Sequence, residues 1–115
     1  MAYNRRSART DDNQTDIVDA LRAIGCSVRI TSNVGDGFPD LIIGDRGINY
    51  LMEVKDGNKA KSRQNLTDDQ KDFHDEWRGQ VVVVNSVVSA LKFITERRIA
   101  NARKAGVPDP GRESV

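Results

Sequence analysis

The chain has 115 residues, enough for one ordinary domain with a buried core and too few for two. Apolar residues make up 37%, charged residues 30%, and the net charge is +1; this excludes a disordered tail and leaves any nucleic-acid argument to where the charges sit. One cysteine, Cys26, excludes an internal disulfide and a thiolate zinc site. The longest apolar run, Val81 to Val84, is far too short for a membrane span, and Arg5, Arg6 and Arg9 precede no apolar region, so a reducing cytoplasm is the expected compartment.

Residues 1–11 are polar and lack apolar periodicity, which predicts a flexible basic arm; Pro108, Pro110 and Gly111 predict a flexible tail over 107–115. Between them, 12–106 reads as a single domain. From about Asn13 to Ile24 the residues Ile17, Val18, Leu21 and Ile24 share one helical face, with Gly25 as the stop. Cys26 to Thr31 alternates, which predicts a strand with Val28 and Ile30 on one side, followed by the loop Val34-Gly35-Asp36-Gly37. Leu41 to Gly44 and Asn49 to Val54 are two short strands around Asp45-Arg46-Gly47, the composition of a tight hairpin. Thr67-Asp68-Asp69-Gln70 opens a helix expected to turn Phe73 and Trp77 inward, with Gly79 as its stop. The β-branched run Val81 to Val84 predicts a strand buried on both faces. Ser86 caps a last helix expected to turn Val87, Val88, Leu91 and Ile94 inward. The order is α-β-β-β-α-β-α, a mixed α/β (α+β) fold. Cys26 and His74 read as a core and a surface residue.

If Arg46 and Gly47 form a two-residue hairpin loop, Asp40 falls directly opposite Glu53. Opposed residues have Cβ atoms roughly 4.5–5.5 Å apart, and like charges so placed destabilise a sheet. A divalent cation would compensate, since Mg²⁺ takes hard oxygen ligands, usually one or two carboxylates plus waters. Lys55, two residues beyond Glu53, projects from the same face and brings an ammonium beside the pair. Such a set matches phosphodiester hydrolysis, which needs a polarised phosphoryl oxygen, an activated water and a cation against developing charge. The bland alternative is a screened charge cluster on an exposed edge. Against it, the Glu53 and Lys55 face continues that of Leu51, so charge enters a partly buried layer at a cost of several kcal/mol if unpaired.

Pro39-Asp40 followed by Glu53-Val54-Lys55 after a hairpin resembles the PD-(D/E)xK nuclease superfamily. The longer run Gly37 to Ile43, Met52 to Gly57, Ser62 and Leu66 to Gln70 looks like its VRR-NUC branch, which includes small phage-type enzymes similar to Holliday junction resolvases. The resemblance implies a restriction-endonuclease-like αβββαβ core, here with a C-terminal helix. It implies Asp40 and Glu53 as Mg²⁺ or Mn²⁺ ligands, the carbonyl of Val54 completing the site, and Lys55 as catalytic. Relatives often carry a glutamate eleven residues before the glycine ending the first helix; Gln14 stands there instead. On the helix Gln14 shares the face of Ile17, Val18 and Leu21, while Asp12, Asp16 and Asp19 project away. Its amide oxygen would ligate a hard cation more weakly than a carboxylate.

Lys59, Lys61, Ser62 and Arg63 follow the catalytic strand and are expected to contact DNA phosphates, the alternative being a solvated loop. Gln70 has two readings: half of a capping box with Thr67, or, as the resemblance implies, a side chain that faces the active site and DNA. Trp77 reads as core rather than as a base-stacking platform. The expected function is a Mg²⁺- or Mn²⁺-dependent endodeoxyribonuclease, with no membrane and no organic cofactor; the resemblance implies branched DNA such as four-way junctions as its substrate and a homodimer as its assembly. Alternatives are a nicking or flap-type nuclease, or a DNA-binding module whose site is weakened at Gln14.

Overall fold

The computed structural model describes residues 12–57 and 65–106. The expected arm and tail, and Lys59, Lys61, Ser62 and Arg63, lie outside the described residues. Helix α1 (Asp12–Ala23) buries Ile17, Val18 and Leu21 on one face. Gly25 at φ +97° ends it: its N–H donates to the Arg22 carbonyl and that of Cys26 to the Leu21 carbonyl, both at 3.0 Å. This paired bonding satisfies carbonyls the last turn leaves without helical partners, and the left-handed backbone suits glycine. Strand β1 (Ser27–Ile30) follows at once.

Strands β2 (Leu41–Asp45) and β3 (Ile48–Val54) form an antiparallel hairpin in which Leu41 pairs with Met52 and Asp45 with Ile48. The two loop residues have positive φ, Arg46 at 51° and Gly47 at 85°. That geometry matches the right-handed twist of the strands and sets the register expected from the sequence. After helix α2 (Asp68–Glu76), strand β4 (Val81–Val84) pairs parallel with β3, giving the sheet order β1-β2-β3-β4. Helix α3 (Val87–Lys104) begins at Ser86, whose side chain accepts from the Ser89 N–H while Ser89 Oγ accepts from the Ser86 N–H. The predicted order of elements is the observed one.

The core lies on one face of the sheet, where Leu41, Ile43, Tyr50, Met52 and Val54 meet Ile17, Val18 and Leu21 of α1 and Ala90 and Ile94 of α3. Tyr50 packs edge-on against Phe93 at 5.3 Å and its hydroxyl accepts from Asn101. A buried ion pair, absent from the sequence reading, ties α3 to the hairpin. Arg98 donates to both oxygens of Asp45 at 2.8 and 2.9 Å and to the carbonyl of Ile24 at 2.8 Å. These bonds from Arg98 hold the Asp45 carboxyl below the usual carboxylate range, against its burial. Cys26 lies beside the pair, and burial raises its thiol to about 11.

Three expectations of burial fail, at Val83, Val88 and Trp77, for reasons of position. Strand β4 is an edge strand with Val83 42% exposed, because the two large helices cover only the opposite face. Ile30 ends the other edge strand and is exposed. Val88 is 74% exposed, since the inward line of α3 runs through Val87, Ala90, Leu91 and Ile94. Trp77 is 44% exposed because α2 ends at Glu76 and packs on the loop before Asp40 rather than on the core. Among the described residues, no helix is long and apolar enough to cross a membrane.

Candidate active site

The loop from Thr31 to Asp40 is closed at its base: the Thr31 N–H donates to the Asp40 carbonyl at 2.7 Å and its hydroxyl to the Pro39 carbonyl at 2.8 Å. Within it Gly37 adopts φ +80°, and a Cβ there would lie 2.3 Å from the Asp69 carbonyl oxygen. Only glycine lets the loop seat against the first turn of α2, and Phe38 adds an edge-on contact with Phe73 at 5.3 Å. Asp40 thus arrives at the start of β2. Its Oδ2 accepts from the Val54 N–H at 2.8 Å, one rung beyond the last backbone pair.

Glu53 is 2% exposed on the face opposite the core. Its Oε2 accepts from Gln70 Nε2 at 3.0 Å and lies 3.7 Å from the Lys55 ammonium, whereas its buried Oε1 has no hydrogen-bond partner. Burial, reinforced by the neighbouring Asp40 carboxylate and only partly offset by Lys55, pushes the Glu53 carboxyl up to about 8. Near neutral pH the Glu53 carboxyl therefore favours its protonated form, and a cation bound there would displace that proton.

Gln70 joins the site to the start of α2. Its Oε1 accepts from Lys55 Nζ at 2.8 Å and from the Thr67 N–H at 2.9 Å, while Thr67 Oγ1 accepts from the Gln70 N–H at 3.2 Å. One amide thus completes the capping box and binds both Glu53 of β3 and Lys55 just beyond it. On the other flank, Asn13 Nδ2 donates to the carbonyls of Lys55 at 2.8 Å and Asn85 at 3.3 Å, bringing the first turn of α1 to the end of β3. Gln14, next in sequence, is buried with its Nε2 unpartnered, while Asp16 and Asp19 are exposed. A depression of about 180 Å³, lined by Lys55, Val83, Val84, Asn85 and Ser89, opens beside the lysine.

No family model and no curated protein sequence is matched by the chain. A solved VRR-NUC domain is matched at 31% identity and a TM-score of 0.55, over 70% of this chain and 88% of that one. The chain belongs to the VRR-NUC family. The four-stranded mixed sheet, the three helices and this likeness make it a nuclease domain of the PD-(D/E)xK type, whose substrate is DNA.

This VRR-NUC chain brings Asp40, Glu53, Lys55 and Gln70 together and sets Gln14 in the neighbouring first turn of α1. The donor set fits a hard divalent cation. Two carboxylates face one another, one has a buried unpaired oxygen, and burial beside the Asp40 carboxylate raises the Glu53 carboxyl, which marks negative charge without full compensation. Among the described residues no three or more His, Cys, Asp or Glu side chains are grouped so that they could hold a metal ion, so other ligands would come from backbone, amide or water. The sequence reading left His74 on the surface, but it is half-buried, four residues from Gln70, with Nε2 buried and unpartnered. Burial lowers its imidazole below the usual histidine range, opposed by Asp75 and aided by the Lys55 ammonium. The i, i+4 spacing from Gln70 was the available signal.

Proposed function

We propose that this nuclease domain, spanning 12–106, is a Mg²⁺- or Mn²⁺-dependent endodeoxyribonuclease, acting on branched DNA as a homodimer in the cytoplasm. The observation that carries the reading is Glu53: a buried carboxylate facing a second one, with one oxygen unpaired and a lysine within 3.7 Å of the other. Such an arrangement costs stability without a cation, which argues for a task. Asp40, Glu53 and the Val54 carbonyl would hold the ion, with Gln14 as a weaker fourth group; the ion would polarise the phosphoryl oxygen and lower the pKa of water.

Lys55 supplies a fixed positive charge against the charge that develops on the phosphate in the transition state. Gln70 keeps the Lys55 ammonium and Glu53 Oε2 in fixed relation, so the site is preorganised. Lys59, Lys61, Ser62 and Arg63 are proposed phosphate contacts in the segment that follows β3. The amide at Gln14 favours one second reading, a DNA-binding module with weakened catalysis.

Incubating the protein with labelled four-way junction, flap, duplex and single-stranded DNA in Mg²⁺, Mn²⁺ or EDTA, beside Glu53→Ala and Lys55→Ala, separates these readings. Paired symmetric cuts in the junction, lost in EDTA and in both variants, are the expected result. Cutting that persists in Glu53→Ala overturns the mechanism, and binding without cutting in every metal establishes the module.

A further inference from the structure

Trp77 stands outside the core that the chain's hydrophobic pattern prescribed for it. Its indole lies nearly parallel to Phe73, with ring centroids 5.0 Å apart and an interplanar angle of 18°, so one face is covered. Its Nε1 edge rests on Gly79, where an added Cβ would come within 2.7 Å. Phe73 is in turn braced edge-on by Phe38, in the loop that delivers Asp40. Yet 44% of the residue stays exposed. A large aromatic ring held on one face and one edge, and open on the rest, is a rigid surface for stacking rather than a loose core residue.

Its place relative to the hydrolytic centre is set by α2. Trp77 caps the C-terminal end of α2 seven residues after Gln70, so its backbone lies about 10 Å along the helix axis from that of the residue that binds Lys55 and Glu53, on the same side as Phe73. That equals about three stacked base steps at 3.4 Å per nucleotide. The acidic residues Asp68, Asp69, Asp72, Asp75 and Glu76 are all exposed and project from the other side of α2, so they do not line the path from the site to the indole. Arg78, next in sequence, is exposed, as a phosphate contact requires.

We propose that Trp77 is a stacking platform for an unpaired base of the DNA substrate, about three nucleotides from the phosphate cut at Asp40, Glu53 and Lys55. The class of substrate is then a branched DNA whose strand is unpaired beside the cut, as in a flap or a splayed junction arm. In a closed duplex both faces of each base are already stacked and the indole gains nothing. This inference rests on the hydrolytic centre proposed above.

Trp77 is the chain's one tryptophan, so its emission reports the contact directly. The full chain in EDTA is titrated with oligo(dT), a blunt duplex and a flapped duplex, beside Trp77→Leu and Trp77→Phe checked for folding by circular dichroism. Saturable quenching by oligo(dT) and the flap but not by the blunt duplex is expected. Trp77→Leu should lose about 5- to 150-fold in affinity for the two unpaired substrates, with duplex affinity unchanged and Trp77→Phe close to wild type. Equal flap affinity in wild type and Trp77→Leu overturns the proposal. So does emission that changes on diluting the protein alone, which would assign the ring to self-association. Cleavage in Mn²⁺ is measured in parallel with Glu53→Ala. Cutting lost in that variant, with no stacking at Trp77, overturns the platform alone, whereas no cutting of any DNA overturns the hydrolytic centre on which it rests.

Discussion

Replacing Glu53 by glutamine should raise the stability of the metal-free protein at alkaline pH while abolishing activity. The folded chain holds this carboxyl at about 8 against an ordinary value of 4.5, chiefly through burial and then through Asp40. The folded state therefore binds the proton more tightly than the unfolded chain. Its stabilising contribution is complete below the unfolded value and is lost as pH rises through the folded one. Each unit between the two costs about 1.4 kcal/mol, so from pH 5 to pH 8 wild type should lose on the order of 3–4 kcal/mol relative to Glu53→Gln. The variant's amide carries no charge, its oxygen can accept from Gln70 as Oε2 does, and its N–H₂ can donate toward Asp40 as the protonated acid would. Urea melts of both proteins in EDTA across this range read the difference, and other titrating groups cancel between them. A stability gap that does not change with pH would refute the reasoning.

The other expectations follow from single contacts. Gln70→Ala removes the cap on Thr67, the acceptor of Lys55 and the donor to Glu53, and should cost about 1–3 kcal/mol in stability and on the order of 10²-fold in kcat. Gln70→Glu keeps the cap but adds a carboxylate beside Glu53, and wild-type kinetics in that variant would show the coupling to be idle. Gly37→Ala places a Cβ against the Asp69 backbone at positive φ and should destabilise by about 2–5 kcal/mol, detected as a lower denaturation midpoint. Arg98→Ala leaves Asp45 buried without its partner, at a cost of about 3–5 kcal/mol near neutral pH. Asp45 is held low in wild type, so its contribution is present above 3.8 and is lost as pH falls through its folded value. The deficit of Arg98→Ala should therefore narrow in acid.

Local signals carried the hairpin, the Thr67 capping box and the Ser86 cap into the structure. Arg46-Gly47 dictates a two-residue loop, that loop sets the register, and the register brings Asp40 to Glu53 with no tertiary information needed. Gln70 was half legible: its spacing from Thr67 shows the cap, but the bonds to Lys55 and Glu53 depend on how α2 docks. The Asp45–Arg98 pair spans 53 positions and leaves no periodic trace. Ile30, Val83, Val88 and Trp77 carry apolar side chains at positions whose exposure depends on which sheet edge is left open and which face a helix covers. Hydrophobic pattern reports a preference for burial, while topology decides whether a partner is there to provide it.

Asp40 and Glu53 are proposed to form one cation site. Calorimetric titration of Mn²⁺ into wild type, Asp40→Ala and Glu53→Gln near neutral pH tests it most directly. The expected result is saturable binding to wild type at millimolar or lower concentration, with proton uptake by the buffer, and loss of that binding in both variants. Binding unchanged in the two variants, or no binding to wild type with DNA absent and present, would contradict it.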